Sequence, residues 1–370
     1  MRLKYLKELD GIRGLAALMV MYFHFFSGIH SNNSVVINFL LKTSVFGQTG
    51  VILFFVLSGF LITRILLSAK DNSNYFSNFY IRRSLRIFPL YYLALCIYLL
   101  SATFSNEGSA SSPTSTWYYW PYLQNIAMTF RFNVSGPLHF WSLAVEEHFY
   151  LFWPVIIYYT SAKRLPFIVG AIVICTIMLR AILFYNGFEV FYFTGTTMDA
   201  LAIGAMLAVK EKNSTLSKRS LTFYLNCFSF IIGSALVLWL FSGGKGLLII
   251  QAFKGTFIAS IYYLLLSMII NSHKGSLVKK LLNQKFLLYT GKISYGLYVY
   301  HVLCFSLYSK YFKTSYLLVD FLCCLLLSYA VASLSYYLLE AQFLSLKEKL
   351  TRKPASTGPR LSVQPARLIN

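Results

Sequence analysis

His24 lies eleven positions after Arg13 in an apolar stretch without proline, and that spacing governs what the two can do together. At about 1.5 Å and 100° per residue they stand roughly 16 Å apart along a helix and only about 20° apart around it. An imidazole near one membrane surface can serve as general base or nucleophile, and a guanidinium near the other can hold an anion. The same spacing also suits a cytoplasmic anchor paired with an interfacial histidine that snorkels outward. Glu146 and Glu147 follow Trp141-Ser142-Leu143-Ala144-Val145, roughly two turns into another apolar segment. Adjacent residues point about 100° apart, so one carboxylate at most aims at a given partner while the other faces a neighbouring helix. By depth the pair falls within reach of His24, as a carboxylate orienting a base would; a network that only holds the bundle uses the same residues.

Arg82, Arg83 and Arg86 stand in Tyr80–Pro89, which reads as a loop on the inner side. Arg82 and Arg86, one helical turn apart, make a fork that grips phosphate bidentately, although inner arginine clusters are also the commonest orientation signal. His301, Asp199 and Tyr295 are further intramembrane polar candidates, and Arg180 lies in the outer half of its segment. Each equally suits a buried structural role. His30, His139, His148 and His273 lie at segment ends or in loops and receive no role, and Trp117-Tyr118-Tyr119-Trp120 reads as an interfacial belt.

These residues matter because they sit in apolar surroundings, where an ionisable side chain is costly unless it faces a cavity or a partner. Hydrophobic residues make up 57% of the 370 and charged residues 12%, with mean hydropathy +0.60. A soluble chain carries about 25% charged residues, so lipid is the solvent here. The predicted fold is all-α and polytopic, with about ten spans near 11–29, 47–67, 87–103, 139–160, 166–186, 190–209, 222–242, 247–271, 291–312 and 315–340. Asn186-Gly187 divides the fifth span from the sixth and Ser242-Gly243-Gly244 the seventh from the eighth, with re-entrant segments as the alternative at both places. The transmembrane domain is expected over 1–345, with a disordered cytoplasmic tail over 346–370 rich in Pro, Ser and Arg.

Charge alternates with each crossing. Most of the 33 Lys and Arg residues fall on one side, leaving Lys42, Arg131, Arg180, Lys245, Lys254, Lys310 and Lys313 for the other. Basic loops face the cytoplasm, so both termini are expected there. The net charge of +21 is spread in short clusters between spans, which points to lipid or phosphate contacts and away from nucleic acid. The six cysteines lie in apolar runs without CxxC spacing, so neither a disulfide framework nor a metal site is expected. The first segment lacks a clear cleavage site and reads as a retained helix.

Five motifs in series carry a resemblance: Arg13-x10-His24, Phe54–Ile62, Arg82–Pro89, Trp141–Leu151 and Ile293–His301. Together they resemble the acyltransferase 3 family of membrane O-acyltransferases, in family order and across most of the chain. The resemblance implies transfer of an acyl group, usually acetyl, from cytoplasmic acyl-CoA to a sugar hydroxyl on the outer side of the inner (plasma) membrane. It implies His24 as the catalytic residue, Arg13 as its essential partner, Glu146 and Glu147 as the paired carboxylates, and Arg82 and Arg86 as contacts of the CoA phosphates, with Arg83 beside them. Acetyl-CoA is then a substrate and no cofactor is permanently bound; the partners are acyl-CoA, a glycan or glycolipid acceptor and membrane lipid. Two places depart from the family: Thr196, Thr197 and Met198 precede Asp199 where members carry an Arg, and Glu340-Ala341-Gln342-Phe343 replaces Glu-x-Pro-Phe.

The expected mechanism keeps the nucleotide near Arg13, Arg82 and Arg86 and threads the thioester to His24, which deprotonates the acceptor or forms an acyl-His intermediate. With no appended soluble domain visible in the sequence, direct handover to the acceptor is the simpler expectation. A glycan transporter or flippase would also line its path with His, Glu and Arg, yet no internal repeat is evident.

Overall fold

Small residues let the helices of this chain approach backbone to backbone, and those approaches set the architecture. The computed structural model describes residues 5–27, 29, 34–104, 113–213, 223, 227–229, 232, 246–273 and 275–351. In chain order the helices are α1 (Glu8–Phe26), α2 (Val35–Gly47), α3 (Gly50–Ala69), α4 (Tyr75–Phe104), α5 (Pro113–Thr116), α6 (Gln124–Thr129), α7 (Trp141–Tyr159) and α8 (Leu165–Tyr185). There follow α9 (Thr194–Lys212), α10 (Leu248–Asn271), α11 (Leu277–Leu282), α12 (Lys285–Lys292), α13 (Ser294–Tyr311), α14 (Leu317–Ser335) and, after a π-helical turn, α15 (Ala341–Leu350). No strand occurs among the described residues.

Six helical segments among the described residues are long and apolar enough to cross a bilayer: Glu8–Phe26, Val35–Ala69, Tyr75–Ser101, Leu165–Tyr185, Leu248–Asn271 and Leu317–Lys347. The chain is therefore a multi-pass membrane protein. The other long helices, α7, α9 and α13, are the ones that carry Glu146 and Glu147, Asp199 and His301. Glu146, Glu147, Asp199 and His301 are turned inward, each to a partner or a cavity, while α8 and α14 expose Phe167, Ile174 and Leu326.

At the α3–α9 crossing, a methyl group on Gly59 would overlap the Leu201 carbonyl, and one on Gly204 would overlap that of Val56. Close approach of this kind is the reason for small residues at membrane helix contacts. Below it, Arg64 pairs with Glu211 at 2.7 Å and Lys212 donates to the Leu67 carbonyl at 3.0 Å. Gly204→Leu is therefore expected to overpack the crossing and cost about 1–3 kcal/mol or more, seen as loss of monodisperse protein in detergent. Gly170→Ala on α8, where an added methyl meets nothing, is the neutral control. A like approach joins α1 to α12, with Gly291 against the Asp10 carbonyl and Gly14 against that of Leu287.

Several expectations change in this frame. The segment 80–89 is not a loop: α4 begins at Tyr75, because nothing between Tyr75 and Pro89 breaks a helix. Helix α2 was not expected; Asn38, Lys42, Thr43 and Ser44 give it the look of a loop, but the Tyr22 hydroxyl reaches the Leu40 carbonyl at 2.9 Å and the Thr43 hydroxyl at 2.7 Å. The division at Asn186-Gly187 is present, with Gly187 in the left-handed region at φ 76°. The expected helix over 222–242 lies almost wholly outside the described residues, as does the tail beyond Thr351. Helix α15 runs across the boundary expected at 345.

Candidate active site

The first cavity, of about 100 Å³, is walled by α1, α3, α4, α7 and α13. Arg13, Arg83 and Arg86 line it together with Glu146, Glu147, Tyr150 and Tyr295. Arg13 pairs with Asp10 at 2.6 Å, one turn before it on α1. The Ser58 hydroxyl donates to Glu146 at 2.7 Å, and the Arg83 guanidinium lies over the rings of Tyr150 and Phe79 at 5.2 and 5.9 Å. Tyr295 donates to the Ile87 carbonyl at 2.9 Å, fastening α13 to α4 beside Pro89. One buried oxygen of Glu147 has no hydrogen-bond partner. Arg13 is already paired with Asp10, but Arg83 and Arg86 make no ion pair with a carboxylate among the described residues and so favour an anionic ligand, and the unpaired carboxylate oxygen is suited to an N–H or O–H that the ligand supplies.

The arginines do not act as the expected fork. Arg82 turns away and donates to the Thr351 hydroxyl at 3.1 Å, whereas Arg83 and Arg86, three apart on α4, face the cavity. The helical start at Tyr75 rotates the cluster in this way, which a loop reading could not anticipate.

A second cavity, of about 150 Å³, holds His24. Val51 and Tyr298 line both it and the arginine cavity. Fully buried His301 on α13 places Nδ1 2.7 Å from the Tyr298 carbonyl and 3.1 Å from that of Leu297. Carbonyls only accept, so neutral His301 carries its proton on Nδ1 and offers the Nε2 lone pair. That Nε2 is 3.1 Å from His24 Nδ1, which is also 3.0 Å from the Val20 carbonyl. His24 Nδ1 is then the donor to both, and its Nε2 keeps the free lone pair. The tautomers follow from the hydrogen-bond network.

His139 completes the cluster. Its ring centre is 6.2 Å from that of His24 and 5.2 Å from that of His301, and its Nε2 donates to the Val299 carbonyl at 3.3 Å. The Tyr298 hydroxyl donates to the His139 carbonyl at 2.7 Å and touches Ser142. Neither Glu146 nor Glu147 is a hydrogen-bond partner of His24: they lie in the arginine cavity, and the group that orients His24 is His301. Similar depth in the membrane did not bring the carboxylates and the imidazole together, because they face different cavities. His139 had no signal in the sequence beyond its helix-end position; Tyr298 stood unremarked in the last motif.

Asp199 lies in neither cavity. It is fully buried in an ion pair with Arg180 at 2.6 Å. Arg180 also donates to the Thr196 carbonyl at 2.6 Å, the Ala252 carbonyl at 3.2 Å and the Thr256 hydroxyl at 2.9 Å, and Thr256 donates to Asp199 at 2.6 Å. The arginine missing before Asp199 in sequence is thus supplied from α8. Among the described residues no group of three or more His, Cys, Asp or Glu has the disposition to hold a metal ion.

A family model described as an acyltransferase domain matches residues 6–337. The chain is 30% identical over 334 residues to the peptidoglycan O-acetyltransferase OatA of Listeria monocytogenes, covering 80% of this chain and 49% of that one. A Bacillus subtilis protein provisionally named as a peptidoglycan O-acetyltransferase, YrhL, is 28% identical over 80% of this chain and 48% of its own length. A Staphylococcus aureus protein provisionally named as an O-acetyltransferase is 28% identical over 92% of this chain and 58% of its own. The chain thus spans about half the length of the curated relatives it matches. No solved structure matches it.

Proposed function

The chain belongs to the acyltransferase 3 family, and from that premise we propose that it moves an acyl group, acetyl first among the candidates, from cytoplasmic acyl-CoA to a hydroxyl of a cell-surface glycan. The observation that carries this reading is the position of His24, its Nε2 lone pair free, in a cavity that shares two wall residues with one lined by three arginines. The topology that accompanies it is ten crossings of the inner membrane with both termini in the cytoplasm. Peptidoglycan, named for the Listeria relative, is the first acceptor to test.

In the reaction, Arg13, Arg83 and Arg86 hold the phosphates of acyl-CoA, and Arg82 steadies α4 through Thr351. The pantetheine arm passes Tyr298 and brings the thioester to His24, roughly 16 Å along α1 from Arg13. His24 Nε2 takes the proton of the acceptor hydroxyl as its oxygen attacks the thioester carbonyl. The carbon–sulfur bond breaks, the ester is formed, and the CoA thiolate leaves with the proton carried by His24. His301 accepts from His24 Nδ1 throughout and so keeps Nε2 the basic atom.

Membranes containing the protein, given radiolabelled acetyl-CoA, are expected to move label into a polymer or glycolipid. Glycan that changes sides without gaining label would favour the transporter reading instead. Arg86→Ala is expected to raise KM for acyl-CoA about 10- to 100-fold, the worth of a hydrogen bond to a charged group, and to leave acceptor KM nearly unchanged. Arg82→Ala is expected to do far less. Equal effects of Arg86→Ala on both substrates would argue that it is structural.

A further inference from the structure

A third cavity, of about 380 Å³, opens where α2, α3, α8, α9 and α10 meet. Gln48, Trp141 and Phe191 line both it and the cavity of His24. We infer that this third cavity is the acceptor site and takes a pyranose ring of a glycan, an inference that rests on the acyl-transfer reading above.

Size, chemistry and connection all favour a sugar. At about 380 Å³ the third cavity falls within the roughly 300–1,000 Å³ of small-molecule sites. Its polar wall carries two amides, Gln48 and Gln251, one carboxylate, Glu189, and one ammonium, Lys254. Donors and acceptors of both signs suit a neutral polyhydroxyl ligand, whereas the guanidinium groups of Arg83 and Arg86 suit an anion. None of the four has a side-chain hydrogen bond to another described residue, so their polar atoms are available to a ligand. Trp141 and Phe191, ring centres 4.8 Å apart, give an apolar wall on which the C–H face of a ring can lie.

The floor is Arg180 and Asp199, each already committed to the other, which tie α8, α9 and α10 around the cavity without adding net charge. A ring seated here reaches His24 past Gln48, Trp141 and Phe191, whereas the thioester arrives past Val51 and Tyr298. The two substrates therefore meet at the imidazole from different walls.

The probe is a radiolabelled β-1,4-linked N-acetylglucosamine tetramer, bound at equilibrium to the full chain in detergent. Gln251→Leu and Glu189→Ala are each expected to weaken its binding about tenfold or more, and to raise acceptor KM by a like factor with acyl-CoA KM held within about twofold. Glu189 is exposed, so its variant folds even if Gln251→Leu does not. Gly170→Ala, where an added methyl meets nothing, is expected to bind the tetramer as wild type does. Retention of tetramer binding by both variants, or displacement of the tetramer by phospholipid alone, would overturn the assignment. Tetramer binding that needs Gln251 and Glu189 in a protein that transfers no acyl group would sustain the cavity and refute the enzymatic reading, so the two fail separately.

Discussion

His24→Ala is expected to lower acyl transfer about 1,000-fold, within the roughly 100- to 10,000-fold that a positioned general base contributes. The protein should still insert and run as a monodisperse species in detergent, because His24 is only partly buried and its ring partners are one carbonyl and one histidine. His301→Ala should cost less, roughly 10- to 100-fold, the usual effect of removing a group that orients a functional one. The Val20 carbonyl still accepts from His24 Nδ1 in that variant, so the correct tautomer remains accessible. The sign of the pH dependence follows: a base works only when neutral, so the rate rises with pH through the His24 ionisation and then levels. An active His24→Ala enzyme would sink the proposed mechanism, and a His301→Ala loss as large as that of His24→Ala would mean that His301 itself takes part in chemistry.

Arg180→Ala is expected to have the largest effect on stability, about 3–5 kcal/mol, because it strands fully buried Asp199 without its partner. Arg64→Ala breaks an ion pair of nearly the same length, 2.7 Å, yet Glu211 there is 29% exposed and water replaces the lost partner. A cost of about 1 kcal/mol or less is expected for it. Thermal unfolding in detergent separates the two. Arg180→Met with Asp199→Leu should recover much of the loss, since apolar replacements leave no charge to desolvate. If the double variant is as unstable as Arg180→Ala, the guanidinium's bonds to Thr196, Ala252 and Thr256 hold α8, α9 and α10 together more than the ion pair does.

Much of the helical frame was legible because lipid imposes a length on each crossing and polar or glycine-containing stretches divide them. Where α2 and the start of α4 were missed, polar residues interrupt the apolar run: Asn38, Lys42 and Thr43 in α2, and Asn78, Arg82, Arg83 and Arg86 in α4. Within α1, spacing alone put Arg13 and His24 on one face, and they do line adjoining cavities. On α7, the 100° turn between Glu146 and Glu147 is visible as one carboxylate held by Ser58 and the other with an oxygen left unpaired.

The sequence by itself determined the solvent, the all-helical class and the short set of polar residues costly enough to need a reason for being there. Only the tertiary structure decided who meets whom. Helical spacing fixes position along and around one axis, but the neighbour and its rotation come from contacts such as Gly59 with Leu201 and Gly291 with Asp10. Those contacts bring His301 to His24 across 277 residues, give Arg180 to Asp199 from another helix, and turn Glu146 and Glu147 toward the arginines.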